Sequence, residues 1–453
     1  MRFAELESRD VAIWGFGREG RAALSALRRK FPEKSLTVYC RRDEAEQSRA
    51  LIDSRVRVIE GEPDAGALAS HHVVIKSPGI SAYKAEILAT QERGTAFTSG
   101  TALWFGENPD ARVIAVTGTK GKSTTTAMIA HCARALGVRT ALAGNIGLPL
   151  LELDGERADL WAIELSSFQT GEAGPVEVGV VVSLEEEHLD WHGTRERYVA
   201  DKLKLAGVAR TLVVDARSPL LMQCTSSHPN RILFEDVHGW HVGESAIRRG
   251  REHMLELSGL PLLGVHNARN ACAALAALES SGLDARAAAS ALRAFKPLPH
   301  RLQRLGVRYG IEWIDDSIAT TPAASLAAVR SIGERAATLI LGGFDRGLDW
   351  DGFARELGLQ PPHAVIAQGA NAARIIEALS RAGVHAHVER ADDFENAVER
   401  AAKVTPPGGV ALLSPGAPSF DRFKDYAERG RAFAALAGFD AAALGEIEGL
   451  GIA

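Results

Sequence analysis

The heptad GTKGKST, residues 118–124, gathers two glycines, two lysines and three hydroxyls in one short run. Glycines free backbone amides to cradle phosphates, a following lysine reaches the terminal ones, and the hydroxyl after it ligates magnesium. The strict phosphate-loop spacing would need a glycine at Val116, so this is a shortened variant. A glycine turn followed by a chance Lys-Ser is the alternative reading. Downstream, Glu164 and His188 each stand just past an apolar run, where either could ligate a nucleotide-bound magnesium. Glu164 reads equally well as a helix-capping acid, and the run Glu185, Glu186, Glu187 as a solvated loop. Near the N-terminus, Gly15, Gly17 and Gly20 form GxGxxG, a weak signal alone. The next apolar run ends at Cys40, Arg41 and Arg42, where a dinucleotide site usually shows an acid for the ribose. Two arginines suit a phosphate better, which argues against a nicotinamide dehydrogenase. A fourth candidate, WIDDSIATTPAAS at 313–325, mixes acids and hydroxyls around an apolar Ile318.

These residues need scaffolds, and the flanking pattern supplies three. DVAIWGFG then REGRAALSALRRK reads as strand, glycine turn and helix. ARVIAVT before the phosphate loop and TTTAMIAHCARALG after it repeat that order, which is the context such a loop requires. Past the prolines at 297 and 299, the runs YGIEWIDDS, ATLILGGFD, HAVIAQG and GVALLSPG alternate with Ala-rich helical stretches. That alternation predicts an α/β fold with a doubly wound sheet and functional residues at the strands' C-terminal ends. A chain of 453 residues accommodates about three domains. Hydrophobic residues at 46% and charged residues at 24% exclude a disordered or fibrous chain, and a net charge of -5 gives no reason to expect nucleic acid or an anionic membrane. With neither a leader pattern at MRFAELESRD nor an apolar run of ~18 residues, the expectation is a cytosolic protein. Cys40, Cys132, Cys224 and Cys272 are scattered, so buried thiols are expected rather than disulfides or a zinc site.

Taken in order, GTKGKST, GNIG (144–147), ELSSFQ (164–169), EHLD (187–190), YVADKLKL (198–205), GVHNARNACAA (264–274), LPHR (298–301), DDS and SPGAPSFDRF resemble the Mur ligases, and within them the glutamate-adding ligases of peptidoglycan synthesis. The resemblance covers essentially the whole chain. It implies three domains: a Rossmann-like UDP domain at 1–106, a P-loop ATPase-like domain with a parallel sheet at 107–298, and a Rossmann-like domain at 299–453 that closes over nucleotide and amino acid. The implied reaction activates the carboxylate of UDP-MurNAc-L-Ala as an acyl phosphate, which the amine of glutamate attacks. ATP and Mg2+ at two sites are the implied cofactors, and a cytoplasmic monomer the implied state.

Residue by residue, the resemblance puts Gly118, Thr119, Lys120, Gly121, Lys122, Ser123, Thr124, Asn270, Arg301 and Asp316 around the nucleotide. Lys122, Glu164, His188 and Lys202 carry catalysis. Ser123 and Glu164 ligate one magnesium and His188 a second, while Lys202 matches the family's carbamylated lysine, whose anionic form can approach metal. Left unmodified, Lys202 would be a surface helix lysine. For the UDP substrate the matching residues are Gly15, Gly17, Arg18, Glu19, Arg41, Arg42, Ser77, Pro78, Gly79, Asn145 and Gln169. Cys40 stands where the family commonly has an acid.

The acceptor segments depart from the family. DDSIATT replaces the usual DSKATN, so Ile318 stands for a lysine and Thr321 for an asparagine, while Thr320 keeps its hydroxyl. Arg346 stands for a common lysine, Pro418 precedes the retained Ser419, and Tyr426 replaces a usual phenylalanine. Loss of a desolvated cation beside a dicarboxylate costs roughly 1–3 kcal/mol, enough to need compensation. Retained nucleotide chemistry with an altered acceptor pocket favours the family branch that adds L-glutamate over the one that adds D-glutamate, because inverting the α-carbon moves at least one carboxylate. A folylpolyglutamate synthase-like ligase and a non-catalytic nucleotide switch are the remaining readings. The first usually lacks a complete UDP domain, and the second leaves Lys202, His188 and Arg301 without a purpose.

Overall fold

The computed structural model describes residues 1–185, 189–442, 445 and 447–453. These form two compact units, one made of Met1–Gly259, Arg269–Phe295 and Gly449–Ala453, the other of Leu260–Ala268 and Lys296–Glu448.

The first unit contains two main sheets. In one, five parallel strands lie in the order Val56–Glu60, Leu36–Cys40, Val11–Trp14, Val73–Lys76, Ala96–Thr98. Val11–Trp14 is buried throughout, as a central parallel strand must be. It feeds the helix Arg18–Lys30, which places Glu19 in its first turn and Arg28, Arg29 and Lys30 in its last, matching the helix dipole. Gly20 allows this helix to leave the strand closely, since a Cβ there would overlap the Gly15 carbonyl. The other sheet has the order Arg231–Phe234, Ala209–Asp215, Val176–Val181, Val113–Thr117, Leu160–Glu164, Thr140–Gly144, Gly451–Ile452. Only the last pairs antiparallel: the chain terminus lies against Thr140–Gly144, and the Arg134 guanidinium donates to the carbonyls of Gly449 and Gly451 at 2.8 and 2.9 Å. A small antiparallel sheet, Trp240–Val242, Ala246–Arg249 and Glu252–Glu256, completes the unit. One apolar cluster runs through both main sheets, from Val11, Ile13 and Leu27 to Val113, Trp161 and Ile163, with Trp104 packed 4.6 Å from Trp161. This shared core is why residues 1–259 hold together as one body.

In the second unit six strands take the order Gln303–Arg308, Ile311–Asp315, Val410–Leu413, Ala337–Leu341, Ala364–Ala367, His387–Arg390. All neighbours are parallel except the first pair. Apolar clusters cover both faces, one around Trp350 and Phe353, the other around Trp313 and Phe433. The molecule is therefore α/β with parallel-dominated sheets. No helix among the described residues is long and apolar enough to cross a membrane. One thiol expectation is corrected: Cys40, Cys132 and Cys272 are buried, but Cys224, the last residue of the short helix Pro219–Cys224, is exposed.

Candidate active site

In the central sheet the strand order reverses at Val113–Thr117, flanked by Leu160–Glu164 and Val176–Val181. Such a switch point opens a crevice at the strands' C-terminal ends. The heptad occupies it. Gly121 holds φ +83° just before the helix Lys122–Ala135, and a Cβ there would collide with the Asn270 amide, so Asn270 closes directly over the loop. Thr119 is buried and bonds the Tyr198 hydroxyl at 2.7 Å, while the Lys120 amide donates to Ser183 Oγ at 2.8 Å. Ser123 and Thr124 are buried in the first helical turn, and Lys122 Nζ donates to the Thr119 carbonyl at 3.1 Å.

Glu164 pairs in register with Val116, immediately before the loop. Asn145 Nδ2 donates to its Oε1 at 3.0 Å, but Oε2 is buried with no hydrogen-bond partner among the described residues. Leaving a charged oxygen so costs a few kcal/mol, which argues for a cation ligand and against the capping role. Lys202 is only 1% exposed and donates from Nζ to the Gly118 carbonyl at 3.0 Å, so it is no surface lysine. The Ser123 hydroxyl and the Glu164 carboxylate are hard oxygen donors of the kind magnesium takes, and they fit that ion. His188 lies outside the described residues. Among the described residues no three His, Cys, Asp or Glu cluster as a metal site.

In the first sheet the crevice lies between Val11–Trp14 and Val73–Lys76. Here Ser77 Oγ donates to the Gly15 carbonyl at 3.1 Å, so Gly15, Gly17 and Ser77–Gly79 share one rim. Arg18 donates to the carbonyl of Gly147, the last residue of GNIG, at 3.0 Å. Glu19 is mostly buried, and burial reinforced by Glu172 pushes its pKa up to about 7. Arg41 and Arg42 are exposed and already paired, Arg41 with Asp43 at 3.2 Å and Arg42 with Glu46 at 3.1 Å. Gln169 is buried and spent on protein contacts, accepting from Ser166 and donating to Thr101 at 3.1 Å.

Three adjacent strands of the second unit, Ile311–Asp315, Val410–Leu413 and Ala337–Leu341, bring the altered segments to one edge. The Phe344 amide donates to the Pro418 carbonyl at 2.9 Å, and the Ile318 amide to the His300 carbonyl at 3.3 Å. Tyr426 stands edge-on to His300 with ring centres 5.9 Å apart. Ile318, Thr320 and Thr321 are half-buried and Ser419 is buried. Arg346 is exposed over the Phe420 ring at 5.6 Å. Asp316 is buried, held by Ser414 Oγ at 2.7 Å, and Arg301 lies close enough to act on its charge.

Sequence reasoning passed over Arg429. Its guanidinium is 1% exposed and donates to the carbonyls of Ser317 and Ala417 at 2.8 and 2.9 Å, while Nε and Nη1 have no partner among the described residues. Burial pulls its pKa down to about 10, with Asp421 and Asp315 opposing. A helix arginine looks exposed in sequence, and only its position after SPGAPSFDRF hinted at the site.

Residues 116–278 match the Mur ligase middle domain and residues 300–416 the Mur ligase glutamate ligase domain. A UDP-N-acetylmuramoyl-L-alanine--L-glutamate ligase of Xanthomonas euvesicatoria pv. vesicatoria is 48% identical over 469 residues, covering 100% of both chains. A protein of the same name from Xylella fastidiosa is 46% identical, again over 100% of both. Among solved structures, the UDP-N-acetylmuramate-alanine ligase MurC of Thermotoga maritima superposes with a TM-score of 0.62 at 19% identity, covering 94% of this chain and 98% of its own, a likeness of fold.

Proposed function

The chain belongs to the Mur ligases, and on that premise we propose that it joins L-glutamate to the L-alanyl carboxylate of UDP-N-acetylmuramoyl-L-alanine at the expense of ATP. The observation that carries the catalytic part is the convergence of a buried Lys202 and the orphaned Glu164 oxygen on the phosphate loop. The alanyl carboxylate attacks the γ-phosphorus of ATP, ADP leaves, and the glutamate amine displaces phosphate from the acyl phosphate. Two anions meet in the first step, so positive charge from Lys122 must offset their repulsion. Ser123 and Glu164 would hold one magnesium ion, with His188 and carbamylated Lys202 at a second, and bound magnesium supplies charge neutralisation at the phosphates. Helix-terminal amides from Gly121 to Thr124 orient the phosphates. Asn270, Arg301 and Asp316 are assigned to the nucleotide. Gly15, Gly17, Arg18, Glu19 and the Ser77–Gly79 loop are assigned to UDP, with weaker support for Arg41, Arg42 and Gln169, whose side chains are already engaged. The functional division follows 1–106, 107–298 and 299–453, in a cytoplasmic monomer without nucleic-acid or membrane partners.

For the acceptor, two similar proteins carry L-glutamate in their names, and Ile318 in place of the lysine the resemblance implies supports the same reading. Ligation assayed with each glutamate enantiomer separately, with UDP-MurNAc-L-Ala and ATP present, tests this. Product from L-glutamate is expected, and product from D-glutamate alone would overturn it.

A further inference from the structure

A buried polar chain crosses from the first sheet to the helix Arg195–Val208, which carries Lys202. The Tyr83 hydroxyl lies 2.8 and 2.9 Å from the two carboxylate oxygens of Asp201. His192 Nδ1 is 2.7 Å from Asp201 Oδ2, and His192 Nε2 is 3.0 Å from Ser167 Oγ. All three inner groups are buried, His192 completely. Burial holds the imidazole below its usual pKa against the pull of Asp201. Lys204 Nζ also lies 2.7 Å from Asp201 Oδ1, so the carboxylate is the hub of the chain. A neutral ring has one donor and one acceptor, so Nδ1–H donates to Asp201 and Nε2 accepts from the Ser167 hydroxyl.

The ends of this chain are what make it more than packing. Asp201 immediately precedes Lys202, and Ser167 lies three residues beyond Glu164. Tyr83 belongs to the stretch after Ser77–Gly79, and that stretch is tied to the same segment twice more: Trp191 Nε1 donates to the Pro78 carbonyl at 3.1 Å, and Ser81 Oγ to the Trp191 carbonyl at 2.7 Å. We propose that Tyr83, Asp201, His192 and Ser167 form a positioning relay through which the UDP-binding loop sets the orientation of Lys202 and Glu164. The relay rests on the roles assigned to those two residues above. None of its members touches the reacting atoms. Their effect is on where the lysine and the carboxylate stand when the nucleotide sugar is bound.

Tyr83→Phe keeps the ring and deletes one bond to a charged group, and Ser167→Ala deletes the far end. In the full-length enzyme each should lower kcat about ten-fold or more while KM for ATP stays within about two-fold. The double variant should be no slower than the slower single one, because breaking a connected chain twice adds little. Singles with unchanged kcat, or effects that multiply in the double variant, would overturn the relay. Hydrogen exchange gives a readout independent of turnover: adding UDP-MurNAc-L-Ala should protect amides of 195–208 in the wild type but not in Tyr83→Phe. Equal protection in both proteins, or none in the wild type, overturns the proposal. A wild-type enzyme that binds the nucleotide sugar but never ligates would instead strike the parent reading, with the exchange experiment still deciding the relay.

Discussion

Asp316 sits at the end of the strand Ile311–Asp315, 8% exposed, accepting from Ser414 Oγ at 2.7 Å and from the Leu302 amide at 3.2 Å. Burial outweighs both bonds and, with Asp315 adding and Arg301 subtracting, moves its pKa from the usual 3.8 to about 7. An acid whose folded pKa is raised holds a proton that the unfolded chain has already lost. Stability therefore falls as pH rises from about 4 towards 7, and the full cost applies above 7. Three pH units at 1.36 kcal/mol each set an upper bound of roughly 4 kcal/mol, of which about two units lie between pH 5 and 8. Asp316→Asn cannot ionise and keeps an oxygen for Leu302. Its stability relative to wild type should thus improve by roughly 2–3 kcal/mol between pH 5 and pH 8. Urea unfolding of nucleotide-free protein at both pH values, read from the fluorescence of the buried Trp313 and Trp350, measures this difference. Turnover should fall by about a hundred-fold or more in the same variant if Asp316 contacts the nucleotide. A stability difference that is the same at both pH values within about 1 kcal/mol would refute the reasoning.

Lys122→Ala should abolish ADP release that depends on UDP-MurNAc-L-Ala, and undiminished release would remove Lys122 from the phosphate site. Glu164→Gln keeps the bond from Asn145 but weakens the orphaned ligand, so half-saturating magnesium should rise about ten-fold or more; an unchanged magnesium titration would count against metal ligation. Lys202→Arg keeps a cation that cannot take up carbon dioxide, so ligation should be lost with ATP still bound in a calorimetric titration; full turnover would eliminate the carbamate. Gly121→Ala combines φ +83° with a clash against Asn270, and should raise KM for ATP by about ten-fold; wild-type KM would mean the loop is not held as described.

Local signals were legible and distant ones were not. Helix Arg18–Lys30 spans the very residues whose Ala and Leu spacing predicts it, and the phosphate-loop helix Lys122–Ala135 follows its glycines as expected, because both depend on neighbours in sequence. Family membership was readable from the order of many short motifs, none decisive alone. By contrast Tyr83 and Asp201 meet across 118 residues, and no periodicity announces a contact of that span. For Lys202 the residue pattern alone gave a surface helix lysine and the resemblance a catalytic one; its bond to the Gly118 carbonyl needed the fold. Arg41 and Arg42 read as free phosphate ligands until Asp43 and Glu46, supplied by the next helix, take their charge. Compactness hid a further fact: Trp104 and Trp161 fuse the first and central sheets into one body that a strand-and-turn reading separates.

On the proposal that this edge takes the incoming glutamate, its structure offers a reason for an isoleucine where the resemblance implies a lysine. A lysine offers a mobile point charge, whereas the second unit places Arg429 beneath the same loops with its fork fixed by the carbonyls of Ser317 and Ala417. At a pKa of about 10 that guanidinium is charged at neutral pH, and its Nε and Nη1 have no hydrogen-bond partner among the described residues. A lysine at 318 would stand next to Ser317, whose carbonyl holds Arg429, and bring a second cation toward that guanidinium. At Arg429 the positive charge is thereby held on a planar group fixed by two carbonyls. We propose that a flexible ammonium at 318 would follow a carboxylate through either configuration of the α-carbon, whereas the fixed fork of Arg429 would not, so that Ile318 shifts selection from charge to geometry.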